Sequence, residues 1–584
     1  MSTLFIRAHS HKGASLLDAI FGTALFLVVF LGIFGAFQLS LQLVKSTALK
    51  TGALALANER LEYIRSLPYN DIGVVGGIPQ GELEMEEAVV LNNTSYTRRT
   101  FVQYIDDPAD GSGGNDENGV TADYKTAKVT MSWPFRESTR SLSLVTNIIP
   151  SGIESIEGGG TLRISVPNAV GAPIPSASVY IENTTVSPAI GFSTFTNTSG
   201  LAVFPGAPSG SRYEITVTKT GYSSTQTYDS TAQNIEPNPG HLTVSESQTT
   251  TGTFAIDILG QATVRSFEVI KPVIWEDLFP DTSQIASLQS TELSGGAIAL
   301  QDSESGYPSS GSVWSATQSP QYLAEWTALS WNDTTPAGTN IRYSLYYGGG
   351  ILVPDSDLGG NESGFTNSPI DLSGLNVGTY DNLYIAGALT SSDASSTPSI
   401  LDWRLDYKVG PTPLPNIAFS LTGAKTIGTD AGSNPIYKYD TLLNTGANTQ
   451  ITIGALEWDN YTLAVDDAVT GYDTAETCPL SPFALLPDED KVVDVLLAEN
   501  TTNSLHVAVK NTSGTLLSDA TVRLYGGSYD TTQETSACGQ TFFNNSLSSG
   551  TYAADVSLSG YQSTTISNIT VSGDSDLVVT LNVL

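Results

Sequence analysis

From Ala19 to Val44 the chain runs through 26 residues without a charge, most of them apolar. A helix needs about 20 such residues to cross a hydrocarbon core, so this stretch predicts a membrane-spanning helix. The helical pattern then continues: Leu54, Ala57, Leu61 and Ile64 recur at helical spacing, with Glu59, Arg60, Glu62 and Arg65 between them. That is an amphipathic continuation, and Pro68 stops it. One helix over 14–67 would extend about 80 Å at 1.5 Å per residue, apolar in its first half and two-faced in its second. Gly22, Gly32 and Gly35 suit close helix packing, as they would in any membrane helix.

After Pro68 the period changes from helical to two. Glu82 to Leu91, Tyr96 to Ile105, Lys125 to Trp133 and Ser141 to Ile149 read as strands of a small sheet over 68–150. Residues 151–160, ending in Gly158-Gly159-Gly160, read as a linker. Short alternating strands follow to the C-terminus. An internal repeat organises them: Gly200, Tyr213 and Gly221-Tyr222 match Gly539, Tyr552 and Gly560-Tyr561, with spacings of 13 and 8 residues in both. Gly446, Tyr461 and Gly471-Tyr472 form a looser third copy. The expected modules are 161–258, 415–498 and 503–584. Between the first two of these lies a different segment, 262–410, which holds five of the seven tryptophans, Trp275, Trp314, Trp326, Trp331 and Trp403.

Composition narrows the function classes. Lys plus Arg total 25 against 59 Asp plus Glu, a formal net charge of -34, and clustered basic residues are what phosphate binding requires. The balance disfavours nucleic acid, and none is expected as a partner. Two cysteines, Cys478 and Cys538, exclude a disulfide-dense scaffold and are a candidate for a single bridge outside the cytoplasm. The histidines, His9, His11, His241 and His506, are too few for a His-based triad or zinc site, and neither a Walker loop nor a GxSxG elbow is present. The expectation is a protein that is not an enzyme.

The front of the chain resembles the N-terminus of type IV pilins and type II secretion pseudopilins. The residues that carry the resemblance are Arg7 and Lys12, then Gly13-Ala14-Ser15-Leu16-Leu17-Asp18, then the apolar run and its amphipathic exit. In that family a prepilin peptidase cuts after the Gly and methylates the new N-terminus. The resemblance implies a leader at 1–13, cleavage between Gly13 and Ala14, a pilin helix at 14–67 and a β head at 68–150. Asp18 stands where the family has Glu, one methylene longer, and would pair with the Ala14 ammonium of a neighbouring subunit, since a carboxylate in apolar surroundings needs a partner. The basic flank predicts a short cytoplasmic N-terminus, one pass through the inner membrane and the bulk outside.

The repeated Gly, Tyr and Gly-Tyr positions resemble carboxypeptidase regulatory-like and Cna-B-like sandwiches. Some Cna-B domains form an internal Lys to Asn amide; the early strands here carry Arg163 and His506 instead, so none is expected. The Trp-rich segment resembles a lectin-like or jelly-roll sandwich, in which its five tryptophans either form a core or stack on sugars. Asp106, Asp107, Asp110, Asp116 and Asp123 lie in a Gly-rich stretch that reads as a solvated acidic loop or as a Ca²⁺ site, the one cofactor suggested.

The expected fold class is thus an α+β pilin unit, a long N-terminal helix plus a small antiparallel sheet, followed by all-β sandwich modules. The expected role is a minor pilin-like or pseudopilin-like subunit displaying those modules for adhesion to a surface glycan or another cell. Its partners would be prepilin peptidase, other pilin subunits and the assembly platform. The alternatives are an unassembled, signal-anchored adhesin and a pseudopilin that aids protein export.

Overall fold

The computed structural model describes residues 16–107, 109, 122–136, 138–150 and 159–584, with backbone alone at 16–19 and 22. One helix, α1, spans Leu16–Ser66. Its first half is bare: from Ile20 to Val44 the large apolar side chains stand exposed, Phe26 at 72% and Leu43 at 72%. Its second half is packed, with Leu49, Ala53, Leu56, Ala57, Leu61 and Ile64 buried against a sheet. The expected stripe was one position out at its start. Leu54 is exposed because the buried line runs through Ala53 and Leu56 to Ala57, about 100° away from it on a helix of 3.6 residues per turn. Arg60, expected among the solvent-facing charges, is buried as well. Its guanidinium meets Glu87 at 3.1 Å and donates to Thr100 Oγ1 at 3.3 Å, which supplies the partners a buried charge requires.

The sheet under the helix consists of β1 (Glu86–Leu91), β2 (Thr94–Ile105), β3 (Tyr124–Phe135) and β4 (Ser138–Ile148), antiparallel and in chain order. Leu91 pairs with Thr94, so Asn92-Asn93 is a two-residue hairpin loop, with φ of 48° and 58°. Asn tolerates that left-handed backbone. Residues 82–85, expected in the first strand, lie outside it: Leu83 bridges to Val74, and the Met85 carbonyl accepts from the Thr100 N–H at 2.8 Å.

Two compact units emerge: the helix, its sheet and the first sandwich with residues 427–436, and the remainder from Leu259 onward. In the first unit, β5 (Gly159–Ser165) lies between β8 (Leu201–Pro208) and β12 (Thr249–Thr253), antiparallel to the former and parallel to the latter. The facing sheet is ordered β10-β9-β6-β7 (Thr225–Gln226, Gly210–Thr218, Ser178–Asn183, Ile190–Phe195), with β11 (Leu242–Val244) also on β9. Gly159 and Gly160, expected at the end of the linker, belong to β5. A Cβ on Gly160 would fall 2.2 Å from the Ser245 carbonyl, so only glycine allows that approach. Residues 151–158 lie outside the described residues.

The second unit repeats this strand order twice. In the C-terminal copy, Ser504–Asn511 runs parallel to Asp574–Leu581 and antiparallel to Gln540–Phe543, opposite a sheet ordered Tyr529–Glu534, Thr521–Gly526, Gly550–Ser557, Thr564–Val571. In the other copy, Gly260–Glu268 runs parallel to Asp490–Glu499 and antiparallel to Gln450–Leu456, opposite Asp440–Asn444, Ala418–Gly423, Asp459–Val465, Phe483–Leu485. The expected boundaries, 262–410 for the Trp-rich segment and 415–498 for its neighbour, therefore change. Gly260–Glu268 is the neighbour's first strand, because its alternate residues Ala262 and Val264 enter that core beside Phe419 and Leu463. The Trp-rich sandwich, 271–409, is inserted between the first and second strands of its host.

The sequence repeat now has a structural cause. Gly200, Gly446 and Gly539 have φ of 70°, 68° and 68°, and Gly221, Gly471 and Gly560 have φ of 80°, 77° and 85°, conformations that glycine adopts without a Cβ penalty. Tyr213, Tyr461 and Tyr552 are buried, and their hydroxyls donate to the carbonyls of Pro208, Glu457 and Ser548 at 2.5, 2.9 and 2.7 Å. A buried phenol needs such an acceptor.

Candidate functional site

Two sheets make the inserted sandwich. One contains Lys271–Asp277, Leu323–Thr334 and Ser399–Val409; the other is ordered Ile285–Gln289, Ser310–Ser315, Tyr384–Ser391, Thr339–Tyr347, Ile351–Leu352. Because successive strand residues face opposite ways, one parity of the second sheet faces the core and the other faces out. Ile341, Tyr343 and Leu345 are buried in the core with Val313 and Ile385. Arg342, Ser344 and Tyr346 face out, as do Tyr384, Ala386 and Ala388 on the neighbouring strand and Ser312 and Trp314 on the strand beyond it.

These outward residues line a cavity of about 640 Å³. Its floor is small: Ala386, Ala388, Ser312 and Ser344. At one end three aromatic rings gather, Trp314 at 4.5 Å from Tyr346 and 5.8 Å from Tyr384 between centroids, and the two tyrosines at 6.1 Å and nearly parallel. Burial pushes the Tyr384 phenol above its usual pKa. Towards the other end stand Arg342, Glu362 and Gln289. Arg342 is held in place by donating from Nη1 to the carbonyls of Ser363 and Gly364, at 3.0 and 2.9 Å. Rings for stacking beside a fixed guanidinium, a carboxylate, an amide and hydroxyls make a surface suited to a polar, ring-containing ligand.

The five tryptophans thus separate. Trp326, Trp331 and Trp403 are core: Trp326 Nε1 donates to the Tyr380 carbonyl at 2.7 Å, Trp331 stacks on Tyr343 at 4.1 Å, and Trp403 meets Phe279 edge-on at 5.2 Å. Trp275 is half-buried against the same core. Trp314 alone of the five lines the cavity. Of the two expectations, the core reading holds for Trp326, Trp331 and Trp403, with Trp275 packed against them on the inward-facing parity, and contact with a ligand stays open to Trp314. Tyr346, Tyr384 and Arg342 did not emerge from the sequence. The available signal was the alternation Arg342, Ser344, Tyr346 in register with Tyr384, Ala386, Ala388.

The other expected sites are scattered. Cys478 and Cys538 are joined in a disulfide, Cα to Cα 5.8 Å, between the interrupted sandwich and the C-terminal one. Of the acidic loop, Asp106, Asp107 and Asp123 are described, and the Asp107 N–H donates to Asp123 Oδ2 at 2.5 Å; Asp110 and Asp116 lie outside the described residues. So do Gly13 and Ala14, while Asp18 is described in backbone only, within α1. The one described helix long and apolar enough to cross a membrane is this same helix.

No family model and no curated protein matches the chain. Among solved structures it is similar to the Bacillus anthracis TIE protein, at 11% identity over 85% of this chain and 73% of that one, with a TM-score of 0.16. It is also similar to a streptococcal ancillary pilin, at 10% identity over 73% and 99% with a TM-score of 0.14, and to the full-length major pilin SpaD of Corynebacterium diphtheriae, at 10% identity over 74% and 99% with a TM-score of 0.13. Likeness at this level carries no inference about activity or partners.

Proposed function

We propose that this chain is a pilin-like structural subunit of the type IV pilin or pseudopilin kind, anchored in a membrane by α1 and displaying its sandwiches outside for attachment to a glycan. The observation that carries the reading is the division of one unbroken helix into a bare apolar half and a half packed on a four-stranded antiparallel sheet. A plain anchor needs no folded partner for its second half, whereas a filament subunit needs both. Cleavage after Gly13 by a prepilin peptidase, methylation of Ala14, and pairing of Asp18 with a neighbouring subunit's Ala14 belong to this proposal. The aromatic groove is its attachment surface, and no catalytic role is assigned.

Mass spectrometry of the mature N-terminus tests the anchor: the expected species begins at methylated Ala14, and an intact Met1 would leave the signal-anchored adhesin as the better reading. The Asp18→Ala variant should still be cleaved yet fail to enter filaments; normal incorporation would remove the pairing. For the groove, the full chain in detergent on an oligosaccharide array should retain sugars in a manner lost in the Trp314→Ala, Tyr346→Ala variant. Equal retention by that variant would refute attachment through the groove.

A further inference from the structure

The interrupted sandwich and the C-terminal sandwich meet along one strand, Tyr472–Cys478, which pairs with Asp490–Glu499 in its own sheet. At its C-terminal end the disulfide to Cys538 joins the two sandwiches. Beside the disulfide, Gln540 takes a hydrogen bond from the Thr477 N–H at 3.1 Å and donates to the Thr477 carbonyl at 2.7 Å, so the backbone there is matched across the junction. At the other end of the strand sits Asp473.

Asp473 is 2% exposed. Its Oδ2 accepts from the N–H and hydroxyl of Thr501, both at 3.1 Å, while its Oδ1 is buried with no hydrogen-bond partner. Leaving a buried carboxylate oxygen unmatched is costly. Two more carboxylates converge on it, Asp467 from the same sandwich and Asp574 from the C-terminal one. Each of the three presents an oxygen, and the three oxygens lie within 4.8 Å of one another. All three residues line one cavity of about 350 Å³. Neutral donors fix the outer two, Asn500 Nδ2 on Asp467 Oδ2 at 2.8 Å and Ser504 Oγ on Asp574 Oδ1 at 2.7 Å. These bonds orient the carboxylates without neutralising them.

We infer that Asp467, Asp473 and Asp574 form a Ca²⁺ site that clamps the junction of the last two sandwiches. Calcium takes six to eight oxygens at about 2.3–2.6 Å, so two ligands on opposite sides of one ion stand roughly 4.6–5.2 Å apart; a trio within 4.8 Å fits one ion. Three carboxylates give the hard, anionic oxygen set that Ca²⁺ prefers to a softer metal. The ion would satisfy the orphaned Asp473 Oδ1 and remove the repulsion among the three. Because Asp574 comes from the second sandwich, binding ties the two modules together five residues along the strand from the disulfide. The junction then has a staple at each end of one strand, one covalent and one ionic.

The test is calorimetric titration of chelator-treated full chain in detergent with CaCl₂, alongside limited proteolysis between the last two sandwiches. The expected result is that the Asp467→Asn, Asp574→Asn double variant binds one Ca²⁺ equivalent fewer than the parent and loses calcium-dependent protection of the junction. Both positions are at least partly exposed, so the variant retains the fold; the single variant Asp473→Asn, the same size and uncharged, provides a second reading. Counting the equivalent lost separates this site from any ion held near Asp107 and Asp123. Unchanged stoichiometry and protection in both variants would overturn the site, as would a parent chain that takes up no calcium.

Discussion

The three sandwiches that share a strand order and the fourth that interrupts one of them use aromatic residues differently. In the shared design a single tyrosine, Tyr213, Tyr461 or Tyr552, enters the core and turns its hydroxyl back to a carbonyl four or five residues upstream. Its work is finished inside the module. In the inserted sandwich the aromatic residues divide by strand parity: Trp326, Trp331, Trp403 and Tyr343 fill the core, while Trp314, Tyr346 and Tyr384 line the outer face of the same structure. The repeated scaffold can thus turn its recurring tyrosine inward while one insertion presents aromatic rings as a surface. Residue type does not decide between the roles; the face on which a strand presents it does.

Substitution puts that division at risk, and the largest effect belongs to the core of the insert. Trp326→Ala should cost about 3–5 kcal/mol in denaturant unfolding, the range for truncating a buried aromatic side chain, and a loss below about 1 kcal/mol would mean that Trp326 is not a core residue. Next is the Cys478→Ser, Cys538→Ser pair. Freeing a 60-residue separation should cost about 2–4 kcal/mol, read as a lower melting temperature for the last two sandwiches with the insert unaffected. Converting Tyr213, Tyr461 or Tyr552 to Phe should cost about 1 kcal/mol each, one buried hydrogen bond. Equal losses at all three would sharpen the view that the repeat is one device used three times. Smallest in stability, Trp314→Ala should change unfolding by under about 1 kcal/mol while abolishing sugar retention. If it destabilised as much as Trp326→Ala, the distinction between the two faces would fall.

Much of this was legible in the chain. The membrane-length helix and its packed continuation follow from 26 uncharged residues and the 3.6-residue period after them, and the repeated modules follow from glycines whose backbone only glycine adopts cheaply. The interruption was not legible. Gly260–Glu268 alternates like any strand, and nothing local says that its partners lie some two hundred residues downstream at Asp490–Glu499. The groove was hidden for a related reason: tryptophan drew attention by type, but the floor it needs is made of Ala386 and Ala388, whose only distinction is smallness. The calcium site needed two modules in place, since Asp574 is a hundred residues from Asp473.

The parallel pairing of first and last strands has a mechanical consequence. When the chain is pulled by its two ends, as in single-molecule extension, the load runs along its length. In each of the three repeated sandwiches tension enters at the start of the first strand and leaves at the end of the last, at opposite ends of a hydrogen-bonded parallel pair such as Gln261 with Asp490 through Glu268 with Leu497. The load therefore falls on the whole row of bonds in shear instead of opening them one at a time. The inserted sandwich enters and leaves through neighbours, Lys271 beside Val409, and would unzip if pulled by those ends. It is spared while the host's shear pair holds. Pulled by the chain ends, the insert and the groove it carries are sheltered behind the host's shear pair, and single-molecule extension should show the insert unfolding only after its host yields.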